Sequence, residues 1–309
     1  MWQQLLKDLK NGNIKALARS ISLVENEQEG YEELLLSLRF QNSASIIGLT
    51  GPPGAGKSTL ADALIGQMVG DGKKVAVLCV DPSSPFNLGA VLGDRIRMSE
   101  WYTHPQVFIR SLATRGSMGG LHPKIIEITE LVKTAGFDFI IVETVGVGQS
   151  EIEIAGLADT TVVVVIPEAG DEIQTMKAGL MEIADIFVVN KSDRPDADNF
   201  VKNLRLMLAP AFHNHQYEIP VIKTVANMKQ GIVELYTAIE KHLQLQITNN
   251  KKMWLLAEKA YYLIEKKKMS SVSKMDLRHE IEKASTQNNF NLYSFVESFM
   301  DNKNKTAQY

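Results

Sequence analysis

The chain has 309 residues, with 33 basic and 36 acidic side chains, a net charge of −3 and one cysteine. That length can bury a sizeable core, and the near-balanced charge gives no basic field for nucleic acid or an anionic membrane. No apolar run approaches the about 20 residues of a membrane-spanning helix, Lys7, Asp8 and Lys10 interrupt any secretion-signal core, and the lone Cys79 rules out an intramolecular disulfide and fits a reducing, cytoplasmic setting.

Residues 1–40 read as a helical extension that caps the main domain. Leu5, Leu6 and Leu9 recur at helical spacing, Asn11-Gly12-Asn13 breaks the pattern, and Ile14, Leu17, Ala18, Ile21 and Val24 form a second apolar face. A third helical segment runs from Tyr31 to Leu38. Residues 41–245 alternate strands and helices, with strands expected at 46–50, 75–80, 107–110, 138–143, 161–166, 186–190 and 220–224. Many of these are continuous β-branched apolar runs, the pattern of strands buried on both faces. Cys79 lies in one of them and reads as core. The fold class is therefore α/β, a mostly parallel sheet with helices on both faces and helical extensions at either end. Ligands of such sheets sit at the carboxyl ends of the strands. Residues 246–309 are a helical arm, in which Trp254, Ala257, Tyr261 and Ile264 share a face, Ser270 to Ser273 mark a break, and Asp301 to Tyr309 read as a frayed polar tail.

The chemistry begins after the first strand. Gly51-Pro52-Pro53-Gly54-Ala55-Gly56-Lys57-Ser58-Thr59 fills every position of a phosphate-binding P-loop, between an apolar strand and a helical pattern. Its glycines free backbone N–H groups to cradle phosphate oxygens, and the helix start adds its positive dipole end. Lys57 is placed to reach the β- and γ-phosphates and Ser58 to ligate Mg²⁺. Asp81, ending the second strand, and Asp94 beyond it are further candidates for the Mg²⁺ shell, because that ion keeps several waters and takes one or two protein carboxylates. Glu143 ends the fourth strand three residues before Gly146. In this pattern the acid holds the Mg²⁺ shell or a water, and the Gly146 N–H senses the γ-phosphate. Gln149 follows at an offset that does not by itself define a role.

Asn190-Lys191-Ser192-Asp193 closes a later strand. A carboxylate there accepts from guanine N1–H and the exocyclic amine, a donor pair that adenine lacks, so Asp193 selects GTP or GDP over adenine nucleotides. The Lys191 stem can cover the base. Thr224-Val225-Ala226 follows the last strand and is placed to touch the guanine edge through backbone N–H groups. His213 and His215 form a pair without an evident third ligand and read as surface residues.

Together these motifs resemble one family, the MeaB/ArgK-type GTPases. The resemblance runs from about Gly12 to at least Trp254. It is most specific over Ala16 to Glu25, Gly51 to Thr59, Asp81 to Met98, Arg110 to Gly120, Glu143 to Glu151 and Pro167 to Gln174. It implies a homodimer whose C-terminal arm dimerises, and a chaperone that gates adenosylcobalamin delivery to methylmalonyl-CoA mutase or a related acyl-CoA mutase. A cobalamin adenosyltransferase is a further implied partner. Asp81 to Met98 and Glu143 to Gly146 become switch segments, and Pro167 to Lys177 an additional one, with Gln174 and Lys177 as candidate catalytic, nucleotide-contacting residues beside Lys57 and Glu143. The family pattern usually has Pro-Gly-Ala-Gly where this chain has Pro167-Glu168-Ala169-Gly170. Two other readings stay open. One is an ATP-dependent kinase of amino-acid transport, against which Asp193 argues. The other is a nickel-insertion GTPase, which would call for His- or Cys-rich metal sites.

Overall fold

A computed structural model describes residues 2–38, 44–81, 98–114, 121–144, 150–169, 179–208, 218–245, 250–286 and 290–306. The chain forms two compact units, Met1–Leu255 and Leu256–Tyr309. Asp94, Gly146, Gln149, Gln174, Lys177, His213 and His215 lie outside the described residues.

The first unit is built on a seven-stranded sheet of order β3-β2-β4-β1-β5-β6-β7. The strands are β1 Ser45–Thr50, β2 Val75–Asp81, β3 Val107–Ala113, β4 Phe139–Glu143, β5 Thr160–Val165, β6 Ile186–Val189 and β7 Val221–Lys223. Every neighbouring pair is parallel, so the sheet is wholly rather than mostly parallel. The strands at the centre are buried along their whole length, as β-branched runs with two apolar faces require.

Helices before the sheet are α1 Trp2–Lys10, α2 Ile14–Glu25 and α3 Tyr31–Leu36; within it come α4 Lys57–Gly70, α5 Ile125–Thr134, α6 Ser150–Leu157, α7 Gly179–Ile183, α8 Ala197–Leu208 and α9 Ile232–Gln244. Odd-numbered residues of β1, β2 and β4, such as Ile47, Val77 and Ile141, pack against Leu60, Leu64 and Met68 of α4 and Leu235 and Ile239 of α9, joined there by Val162 and Val164 of β5. Even-numbered residues, such as Ile46, Leu78 and Ile140, pack with Leu9, Leu17, Ile21 and Val24 of the N-terminal helices and Ile128 and Leu131 of α5. The amphipathic N-terminal helices therefore complete the core of the sheet. Asn13 starts α2 by accepting from the Ala16 N–H at 3.0 Å.

β3 runs three residues past the expected strand. Its polar residues Arg110 and Ser111 break the apolar run, but the Arg110 guanidinium pairs with Glu25 and donates to Ser22 Oγ, both on α2. A charge is tolerated in the strand because the helix packed over it supplies the carboxylate.

The second unit holds the rest of α10 Asn250–Lys268, then α11 Lys274–Ser285 and α12 Leu292–Thr306. Ser273 caps α11 by accepting from Met275 and Asp276 N–H groups. The tail expected to fray from Asp301 is helical to Thr306, because α12 carries no breaker there. Among the described residues no helix is long and apolar enough to cross a membrane.

Candidate functional site

The site lies at the carboxyl edge of the sheet, where β1 ends at Thr50 and α4 begins at Lys57. Between them the chain turns through left-handed glycines. Gly51 has φ 138°, and a Cβ there would sit 2.0 Å from the Val164 carbonyl oxygen; Gly56 has φ 89°, and a Cβ would lie 2.4 Å from Asn190 Nδ2. Both positions therefore require glycine, for conformation and for space. The result is a loop without side-chain bulk, closed onto a helix N-terminus, which is an anion cradle.

Lys57 is buried, and its Nζ donates to the Gly51 carbonyl at 2.8 Å and the Pro52 carbonyl at 3.1 Å. The ammonium thus lies across the loop it would share with a phosphate. Ser58 Oγ donates to Glu143 Oε1 at 2.6 Å, joining the first turn of α4 to the end of β4. Thr144 Oγ1 donates to Thr50 Oγ1 at 3.0 Å just beyond. Asp81 ends β2 next to β4, two residues past the Cys79–Glu143 register pair, and is also buried. Ser58, Asp81 and Glu143 thus come to one corner beside the loop. A hydroxyl and two carboxylates suit a hard, oxygen-seeking cation that retains water ligands. Among the described residues no three His, Cys, Asp or Glu side chains gather as a protein-only metal cage.

The elements expected to read the base are tied directly to this loop. Asn190 Nδ2 donates to the Ala55 carbonyl at 2.9 Å, while Oδ1 accepts from Thr224 Oγ1 at 3.1 Å and the Ala226 N–H at 3.2 Å. One buried side chain therefore clamps the P-loop, the end of β6 and the segment after β7. Lys191, in a left-handed conformation with φ 54°, sends Nζ to the Gly54 carbonyl at 2.8 Å. Its stem spans the gap between the two loops. Asp193 is exposed, and among the described residues its carboxylate has no hydrogen bond, so it presents two acceptor oxygens outward.

A cavity of about 250 Å³ lies under this bridge. Gly56, Thr59, Asn190, Lys191, Asp193 and Ala226 line it, all expected from sequence, together with Arg194 and Asn227, which were not. Each of the two follows directly on a motif, and that adjacency was the only sequence signal for them. The amides of Thr224, Val225 and Ala226 all donate within the protein, to Val189 O, Gln230 O and Asn190 Oδ1. In this structure the segment braces Asn190, and Ala226 also lines the cavity.

A glycine cradle with a buried lysine, a hydroxyl and carboxylates beside it, and an Asn-Lys-x-Asp loop wired into it define a P-loop nucleotide site of the guanine-reading class. Comparison with known proteins narrows this. Residues 17–279 match the family model described as Methylmalonyl Co-A mutase-associated GTPase MeaB, and the chain belongs to that family. It is 49% identical over 246 residues to a protein of Pyrococcus abyssi named as a GTPase, covering 78% of this chain and 76% of that one. It is 37% identical over 244 residues to GTPase ArgK of Escherichia coli, covering 76% and 73%. Among solved structures, one described as LAO/AO transport system kinase superimposes with a TM-score of 0.66 at 26% identity, over 97% of this chain and 96% of that one.

Proposed function

We propose that the chain binds GTP and GDP with Mg²⁺, hydrolyses GTP, and serves as a nucleotide-gated chaperone for an adenosylcobalamin-dependent acyl-CoA mutase. The observation that carries the nucleotide reading is the direct wiring of Asn190 and Lys191 into the P-loop, which sets Asp193 at a fixed reach from the phosphate cradle. The family's description, mutase-associated, supports the client class, with methylmalonyl-CoA mutase the first candidate.

In the proposed reaction water attacks the γ-phosphate in line, and catalysis rests on positioning and charge stabilisation. Lys57 exchanges its contacts with the loop carbonyls for β- and γ-phosphate oxygens. Ser58, with Asp81 and Glu143 directly or through water, would hold the Mg²⁺, which would supply neutralisation of phosphate charge. Asp94, Gly146, Gln174 and Lys177 are assigned to the metal shell, γ-phosphate sensing and the additional switch on the family resemblance. The protein acts as a cytoplasmic homodimer, and a cobalamin adenosyltransferase is a second partner.

The name of the structural neighbour favours a rival, an ATP-dependent kinase serving transport. One assay separates the two. GTP and ATP hydrolysis are measured with the chain alone and with a purified adenosylcobalamin-dependent mutase. The proposal expects slow GTP turnover that the mutase raises, and little ATP turnover. Equal or greater use of ATP would favour the rival. Unstimulated GTP turnover would keep the GTPase and remove this client.

A further inference from the structure

The guanine-selecting carboxylate must hold one orientation, because each ångström of misplacement weakens both hydrogen bonds to the base. Asp193 has no hydrogen bond of its own among the described residues, so its neighbours set its position. On one side Ser192 is anchored, its N–H and Oγ both donating to the Thr224 carbonyl at 3.1 Å. On the other side stands Arg194. Its N–H donates to the Lys191 carbonyl at 3.1 Å, and its guanidinium pairs with the Glu168 carboxylate.

Glu168 belongs to a short 3-10 turn, Pro167–Ala169, directly after β5. It comes from a different part of the chain than the base loop. Arg194 also lines the base cavity. The Arg194 guanidinium holds the Glu168 carboxyl below its ordinary range, as expected for a charge-assisted hydrogen bond.

We propose that the Glu168–Arg194 pair is the second anchor of the base loop, and that it tunes guanine recognition by fixing Asp193 from its carboxyl-terminal side. Arg194 is then a positioning residue that acts through Asp193. This rests on the guanine-nucleotide reading above and adds to it a specificity determinant supplied by Glu168 from the turn after β5.

The test compares GDP with IDP, whose base lacks the exocyclic amine that Asp193 reads, using the full chain and fluorescent-analogue competition. Both side chains are half exposed, so the pair is weak and the effect modest. Arg194→Ala and Glu168→Ala should each raise the GDP Kd roughly two- to fivefold and the IDP Kd by less, because hypoxanthine keeps only the N1–H bond to Asp193, shrinking the GDP/IDP preference. The double variant Glu168→Ala/Arg194→Ala should be no worse than either single variant. The charge-exchanged pair Glu168→Arg/Arg194→Glu should recover most of the preference. Equal losses for GDP and IDP, additive single effects, or no recovery on exchange would overturn the inference. Failure of the unsubstituted chain to bind GDP would sink the guanine reading itself, whereas unchanged variants of a chain that binds GDP would sink this inference alone.

Discussion

Asn190 and Asp193 belong to one tetrapeptide and do different physical work. Asn190 is buried, and its side chain makes three hydrogen bonds to two other segments, one of them 135 residues away in sequence. Asp193 is exposed and points its carboxylate outward. Asn190→Ala strands the Ala55 carbonyl and the Ala226 amide, so it should cost about 2–4 kcal/mol of unfolding free energy even without nucleotide. Asp193→Ala should stay within about 0.5 kcal/mol of the parent and instead lose guanine preference. Urea unfolding of the nucleotide-free variants, beside GDP titration, measures the difference. Gly51→Ala drives a Cβ into the Val164 carbonyl and should abolish nucleotide binding, read by the same titration. The sequence nominates the residue types of the candidate site because phosphate and guanine chemistry constrain such residues locally. The bracing role of Asn190, and the presence of Arg194 and Asn227 at the cavity, were not legible in it, because they depend on which distant segments the fold brings together.

At the scale of elements, the N-terminal helices behave as a layer of the core. Ile21 on α2 is fully buried in the cluster that also contains Ile46, Leu78 and Ile140. Ile21→Ala should therefore destabilise the protein by about 2–4 kcal/mol, and the loss of the α2 cap in Asn13→Ala by about 1 kcal/mol, both measurable by chemical denaturation. α3 is held partly through Tyr31, whose ring lies 5.1 Å from Lys124 Nζ. Burial, and then the hydrogen bond to Glu32, push its phenol up to about 12. A raised phenol favours the folded state while protonated. Its contribution is fully present below pH about 10 and lost as pH rises through about 12. Thermal melts across that alkaline window should fall more steeply in the parent than in Tyr31→Phe. Most of the seven strands were readable because continuous β-branched apolar runs have few other uses in a chain of this pattern. β3 was read short because the Glu25 partner of Arg110 lies 85 residues earlier, and no local rule reveals that pairing.

At the scale of the molecule, the second unit stands apart in composition. Tyr261, Ile264, Tyr293 and Val296 are between 50% and 82% exposed, and among the described residues of that unit none is buried. Helices with so little core of their own need another surface, and a second copy of the chain is the proposed one. Tyr261→Glu with Tyr293→Glu should shift sedimentation from dimer to monomer while GDP binding persists; a parent that sediments as a monomer would refute the dimer. Asp193 is the proposed reader of the base, and one substitution there separates guanine from the alternatives. In Asp193→Asn the amide oxygen still accepts from N1–H, but the amide nitrogen now meets the guanine amine donor to donor. Xanthine carries a carbonyl at that position and restores the match. GTP, XTP and ATP hydrolysis should be compared for parent and variant at equal Mg²⁺. The account predicts that the parent prefers GTP and the variant XTP, with ATP poor for both. A parent that hydrolyses ATP as readily as GTP, or a variant whose preference does not move, would contradict it.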